Sequence, residues 1–169
     1  MFENIIKNVH NRHPLIHCIT NYVSINDCAN IVLACGGAPI MAEDINEVSQ
    51  ITSICQGLDI NIGMLNDNKL SSMLKAGATA NELGIPVILD PVGAGSSDYR
   101  IKAVQNLMSN VQFGVIRGNV SEIKAIAAKQ GIHNIAAGVY ETMQKNKSAM
   151  GVEAGIADKI TDDNIKEMA

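Results

Sequence analysis

Five short runs rich in β-branched and aliphatic residues, separated by stretches with apolar residues at helical intervals, set the architecture open to this chain. The runs are Leu15–Ile19, Ala38–Met41, residues 58–62, Val87–Asp90 and residues 112–117. The first connection, 24–35, repeats Ile25, Cys28, Ile31, Val32 and Cys35 along one helical face. The second, 46–55, does the same with Val48, Ile51, Ile54 and Cys55, and the third, 67–83, with Leu70, Met73, Leu74, Gly77, Ala80 and Leu83. A fourth helix is expected over 98–108. Gly36 and Gly37 end the first helix, and Gly84 with Pro86 ends the third. Every connection is long enough for a helical crossover, which parallel strands require, so the expected fold is α/β with a mostly parallel sheet and helices on both faces.

With 169 residues, 47% of them hydrophobic, the chain is long enough to bury a core. No internal repeat, low-complexity segment or linker divides it, and residues 1–169 read as a single domain. The net charge of −4 is spread without a basic stripe, and three Tyr, two Phe and no Trp leave little surface for stacking bases. No nucleic acid is expected as partner. Residues 1–10 mix Glu3 and Lys7 with scattered apolar residues, so neither a signal peptide nor a membrane span is read there. The expected compartment is cytoplasmic. Cys18, Cys28, Cys35 and Cys55 lie at irregular spacing in apolar company, a pattern of inert buried thiols rather than of a zinc site.

Two runs end in segments suited to phosphate and a divalent cation. ILDPVGAG, residues 88–95, places Asp90 at a strand end followed by small residues that let backbone amides approach an anion. VIRGNVSEI, residues 115–123, brings Arg117, Asn119 and Glu122 to the next strand end. Each has a structural alternative: the first an ordinary strand-to-helix turn, the second a capping box, with Asn119 as N-cap and Glu122 three residues later. Similarly, Met41 could fill a core gap and Asn21 could shape the turn before its helix. His17, on an apolar strand, reads as a hydrogen-bonded structural histidine rather than a base.

These segments together resemble the hydroxyethylthiazole kinases of thiamine salvage, members of the ribokinase-like superfamily, whose Asn-x-x-Glu motif is matched by Asn119 to Glu122. Residues 17–23 (HCITNYV) look like the family's opening signature, and residues 38–42 (APIMA) like the segment whose methionine contacts the thiazole. Residues 60–63 (INIG) with Leu65 and Asn66 fit the next strand and turn, and residues 151–155 (GVEAG) resemble a later loop. The resemblance implies a ribokinase-like fold and MgATP-dependent phosphorylation of the thiazole's hydroxyethyl group. It implies a homotrimer with the thiazole pocket at a subunit interface. Asn21, Met41 and Gly63 would then bind substrate, Arg117 and Asn119 the nucleotide, and Asp90 and Glu122 the environment of Mg2+ and phosphate.

The sequence departs from the family pattern twice. Residues 128–151 form a longer segment than expected, with an extra helix suggested by Ile132, Ile135, Ala136, Val139, Tyr140 and Met143. The family's Gly-Thr-Gly-Cys loop has no counterpart, so no catalytic residue is nominated, and the domain is expected to be C-terminally incomplete, ending in a helix begun at Thr161. Two other readings stay open beside an inactive kinase portion. One is a noncatalytic thiazole-binding or oligomerisation module. The other is a related ribokinase-like activity, such as ATP-dependent dehydration of hydrated nicotinamide nucleotides, against which the segments around Asn21 and Met41 argue.

Overall fold

The computed structural model of the protein describes residues 2–129. The extra helix expected within 128–151, the loop at 151–155 and the helix start at Thr161 therefore lie wholly or almost wholly outside the described residues. The chain divides into two compact units, Met1–Asp90 with Leu107–Ile116, and Pro91–Asn106 with Arg117–Ala169.

The first unit holds a five-stranded sheet. Its strands are β1 (Leu15–Ile19), β2 (Ala38–Met41), β3 (Gly57–Asn61), β4 (Val87–Asp90) and β5 (Val115–Ile116), in the order β2-β1-β3-β4-β5. All four pairings are parallel, as the long helical connections require. Helices α1 (Phe2–Arg12), α2 (Ile25–Ala34), α3 (Val48–Ser53) and α4 (Asp67–Glu82) belong to this unit, with the last turn of α5 (Asp98–Asn110). Strand alternation divides the sheet into two faces. His17, Ile19, Leu58, Ile60, Val87 and Leu89 are all buried on one, where α4 lies against β3 and β4 and contributes Met73, Ala76 and Ala80 to the core. Gly77 belongs to that packing: a Cβ there would stand 2.5 Å from Val111 Cγ2. Asp59 alternates to the opposite face, where the Cys28 thiol of α2 reaches its carboxylate.

Both glycine stops act as the sequence indicates. Gly36, at φ +91°, and Gly84, at φ +67°, take the left-handed conformation directly after α2 and α4. In each case two successive N–H groups fold back on the last turn: Gly36 to Leu33 and Gly37 to Val32, Gly84 to Asn81 and Ile85 to Ala80. That is a Schellman motif at both ends.

Three expectations need correction. β3 starts and ends one residue earlier than the apolar run. β5 spans two residues instead of 112–117, because the Asn81 side chain captures both the N–H and the C=O of Gln112 and removes them from the ladder. Helix α1 went unread although Phe2, Ile5, Ile6 and Val9 repeat at i, i+3, i+4 and i+7.

The second unit contributes the loop after β4, the first turns of α5, and α6 (Val120–Lys129). No helix among the described residues is long and apolar enough to cross a membrane.

Candidate functional site

In the order β2-β1-β3-β4-β5, the chain leaves β1 first to one side and then to the other, so β1 and β3 flank a topological switch point. Ligands of open α/β sheets bind in the crevice outside the carboxyl ends of such strands. The residues that end β1, β3 and β4 are joined there by side-chain amides. Asn21 donates from Nδ2 to Asn61 Oδ1 at 3.2 Å, and Asn61 donates from its own Nδ2 to Asp90 Oδ2 at 3.1 Å. The Gly63 N–H also donates to Asn61 Oδ1, at 2.8 Å. Asn61, 7% exposed, thus fixes an expected substrate residue on one side and an expected metal residue on the other. The sequence reading placed Asn61 on its strand and gave it no role.

Asn21 also shapes its turn, as the structural alternative held: its Oδ1 accepts from the Ser24 N–H at 3.0 Å and from the Ser24 hydroxyl at 3.1 Å, just ahead of α2. Gly63 meets the cluster so closely that a Cβ would lie 2.8 Å from Asn21 Nδ2 and 2.9 Å from Asn61 Oδ1. Only glycine fits without displacing one of the two asparagines. Met41 ends β2, half-buried, with Cys18 as its register partner on β1.

The next residues of these loops form a charged cluster that sequence reasoning missed. Lys69, 3% exposed in the first turn of α4, pairs with Glu43 at 2.9 Å and donates to the Thr20 carbonyl. Its ammonium also lies 4.8 Å from the centroid of the Tyr22 ring, and the Tyr22 hydroxyl donates to Glu43. Partial burial pushes the Glu43 carboxyl up, but the hydrogen bonds from Tyr22 and Lys69 and the lysine charge outweigh it and leave its pKa below the usual value. The bond to Glu43 in turn raises the Tyr22 phenol. A signal for Lys69 was present, since it lies one turn before Met73 on the buried stripe of α4.

His17 is structural, with both ring nitrogens engaged. Nε2 lies 2.8 Å from the Ala42 carbonyl, which can only accept, so Nε2 carries a proton; Nδ1 lies 2.9 Å from Thr52 Oγ1. Burial lowers its pKa against the raising influence of that carbonyl and of Glu47, which keeps the ring neutral. Burial and the nearby Asp59 carboxylate push the Cys18 thiol up to about 12, so it carries no thiolate for chemistry. Cys35 departs from the expected buried thiols: it caps the end of α2 and is exposed.

In the second unit, Asn119 and Glu122 form a reciprocal capping box at the start of α6. The Glu122 N–H donates to Asn119 Oδ1 at 2.9 Å, and the Asn119 N–H donates to Glu122 Oε2 at 2.8 Å. The other carboxylate oxygen accepts the Gly93 N–H at 2.9 Å, which ties the loop after β4 to α6. Gly93 sits at φ +66° in that loop, and Arg100 holds the turn by donating to the Val92 carbonyl at 2.7 Å. Gly118 is required beside the box, because a Cβ would stand 2.9 Å from Glu122 Oε2. Arg117 is exposed immediately after β5.

Among the described residues no three His, Cys, Asp or Glu side chains cluster as a metal cage. The donor set suits magnesium differently. A carboxylate offers about four acceptor positions, so the amide bonds on Asp90 and Glu122 are compatible with also accepting metal-bound water. Magnesium keeps several waters and binds through one or two carboxylates and substrate phosphates, and the residues present fit that mode.

The model of the hydroxyethylthiazole kinase family matches residues 6–162. The chain is 53% identical over 165 residues to the hydroxyethylthiazole kinase of Clostridium acetobutylicum, covering 98% of this chain and 55% of that protein. To the enzyme of the same name from Alkaliphilus metalliredigens it is 58% identical over 124 residues, covering 73% and 46% respectively. The structure of a hydroxyethylthiazole kinase protein from Pyrococcus horikoshii superposes with a TM-score of 0.74 at 38% identity, covering 83% of this chain and 53% of that one. The chain therefore spans about half the length of the relatives it matches.

Proposed function

The chain belongs to the hydroxyethylthiazole kinase family, and we propose that it serves the phosphorylation of the hydroxyethyl group of a thiazole alcohol, with ATP as donor. The observation that carries this reading is the amide chain Asn21, Asn61, Asp90, which ties the expected thiazole contacts to an expected metal carboxylate at the carboxyl edge of one sheet.

In this reading Asn21, Met41 and Gly63 line the thiazole pocket. Gly63 leaves room for the ring where a side chain would displace Asn21 or Asn61. Asp90 and Glu122 each serve as acceptors for waters of a magnesium ion, whose charge would offset that of the nucleotide phosphates. Arg117, exposed at the end of β5, supplies a cation to phosphate, and Asn119 acts beside it by setting the start of α6. A single kinase domain, a homotrimer and a cytoplasmic setting belong to the same proposal.

The sequence contains no Gly-Thr-Gly-Cys loop, and phosphoryl transfer depends on such an anion hole. The test is product formation from hydroxyethylthiazole and MgATP, comparing the 169-residue chain with the same chain joined to the C-terminal half of a complete relative. Turnover is expected of the joined protein, and thiazole binding without turnover of the chain alone. A joined, folded protein that neither binds nor phosphorylates the thiazole would refute the reading.

A further inference from the structure

Lys69 is the one side chain that reaches across the strand ends assigned to the thiazole. Its ammonium holds the Thr20 carbonyl, one residue before Asn21, and the Glu43 carboxylate, two residues after Met41. Tyr22, on the other side of Asn21, lays its ring against the same ammonium and donates to the same carboxylate. Lys69 itself stands on α4, whose N-cap Asn66 follows Gly63 by three residues and accepts the Lys69 N–H at 2.9 Å. The segments after β1, β2 and β3 thus converge on one nitrogen.

A lysine ammonium has three donors and no acceptor, and burying it is costly unless it is paired. At 3% exposure Lys69 therefore constrains its partners: any shift of the Thr20 or Glu43 segment leaves a buried charge less satisfied. We propose that Lys69 is a positioning residue for the thiazole pocket, fixing the loops after β1 and β2 against the start of α4 and so setting where Asn21, Met41 and Gly63 stand. This rests on the thiazole reading of those three residues. It predicts that losing the ammonium loosens the pocket while the sheet beneath, built on Ile19, Leu58, Ile60 and Leu89, stays folded.

The experiment is calorimetric titration of the purified chain with hydroxyethylthiazole, for the wild type and for Lys69→Met, Glu43→Gln and Lys75→Met. Lys75 lies on the same helix with its ammonium on the Ile45 carbonyl and controls for loss of a lysine from α4. Lys69→Met is expected to raise Kd at least about tenfold at unchanged stoichiometry, since small losses of pre-organisation cost binding steeply. Glu43→Gln is expected to raise it less and Lys75→Met not at all. Wild-type affinity in Lys69→Met, or a loss in the competent fraction alone, overturns the proposal and leaves Lys69 a stability residue. If Lys69→Met does not fold, the same reading is made on Glu43→Gln. If the wild type binds no thiazole, the pocket assignment fails separately. The loop claim is then judged by amide exchange, with faster exchange at residues 21–24 and 42–44 in Lys69→Met than in Lys75→Met supporting it and equal exchange overturning it.

Discussion

Asn61 donates its side-chain amide to the Asp90 carboxylate at 3.1 Å across the neighbouring ends of β3 and β4. Its carbonyl oxygen meanwhile receives Asn21 Nδ2 and the Gly63 N–H, so one buried amide orients groups from two neighbouring strand ends and the turn after its own. Replacing it with leucine keeps the volume and strands several polar partners. Asn61→Leu is expected to cost about 1–3 kcal/mol, the range for leaving a buried polar group unsatisfied, and urea unfolding measures it. An unchanged midpoint would mean that the amide chain contributes nothing to the fold.

Gly63→Ala tests close approach. The added methyl must push aside Asn21 Nδ2 or Asn61 Oδ1, which it would otherwise meet at 2.8 and 2.9 Å. A loss of about 1–3 kcal/mol is expected from overpacking, together with weakened thiazole binding. Gly84→Ala is the contrast: its Cβ would meet nothing within 4 Å, so only the strain of φ +67° remains, and the variant is expected to keep thiazole affinity.

Glu122 separates capping from metal chemistry. Glu122→Ala removes the acceptor for the Asn119 and Gly93 N–H groups and should destabilise the protein by about 1–2 kcal/mol, as lost caps do. Glu122→Gln can still accept one of those bonds, so a smaller loss is expected in urea. If the carboxylate also serves magnesium, Glu122→Gln should abolish any magnesium-dependent strengthening of nucleotide binding. Retention of that strengthening would leave the capping box as the residue's whole role.

His17 makes stability depend on pH. Its folded pKa is lowered by burial, so below the ordinary value near 6.5 the unfolded chain takes up a proton that the folded chain refuses. The stabilisation is full above that value and is lost as pH falls through the interval beneath it. Urea midpoints between pH 8 and pH 5 should decline more steeply for the wild type than for His17→Gln, which is less stable throughout and flatter. Parallel curves would show that another group titrates.

Strands β1, β2 and β4 were legible residue for residue because short aliphatic runs bounded by glycine or proline leave few alternatives, and both glycine helix stops follow from the same local chemistry. β5 was misread because what ends it is a side chain 31 residues away, Asn81 on Gln112, which no local pattern reveals. The capping box was visible as one of two meanings of Asn119 and Glu122, and the structure makes its hydrogen bonds. Lys69 and Asn61 escaped notice for a common reason. A lysine in a helix and an asparagine in a strand are read as solvated unless the tertiary fold is known, and here both are buried by long-range partners on β1, β2 and β4.

The most direct test of the thiazole assignment is an amide NMR titration of the isotopically labelled chain with hydroxyethylthiazole. The account predicts saturable shifts concentrated at residues 20–22, 41–43 and 62–64, around Asn21, Met41 and Gly63, and weakened by Gly63→Ala. Absence of saturable shifts, or shifts centred away from the carboxyl ends of β1, β2 and β3, would contradict it.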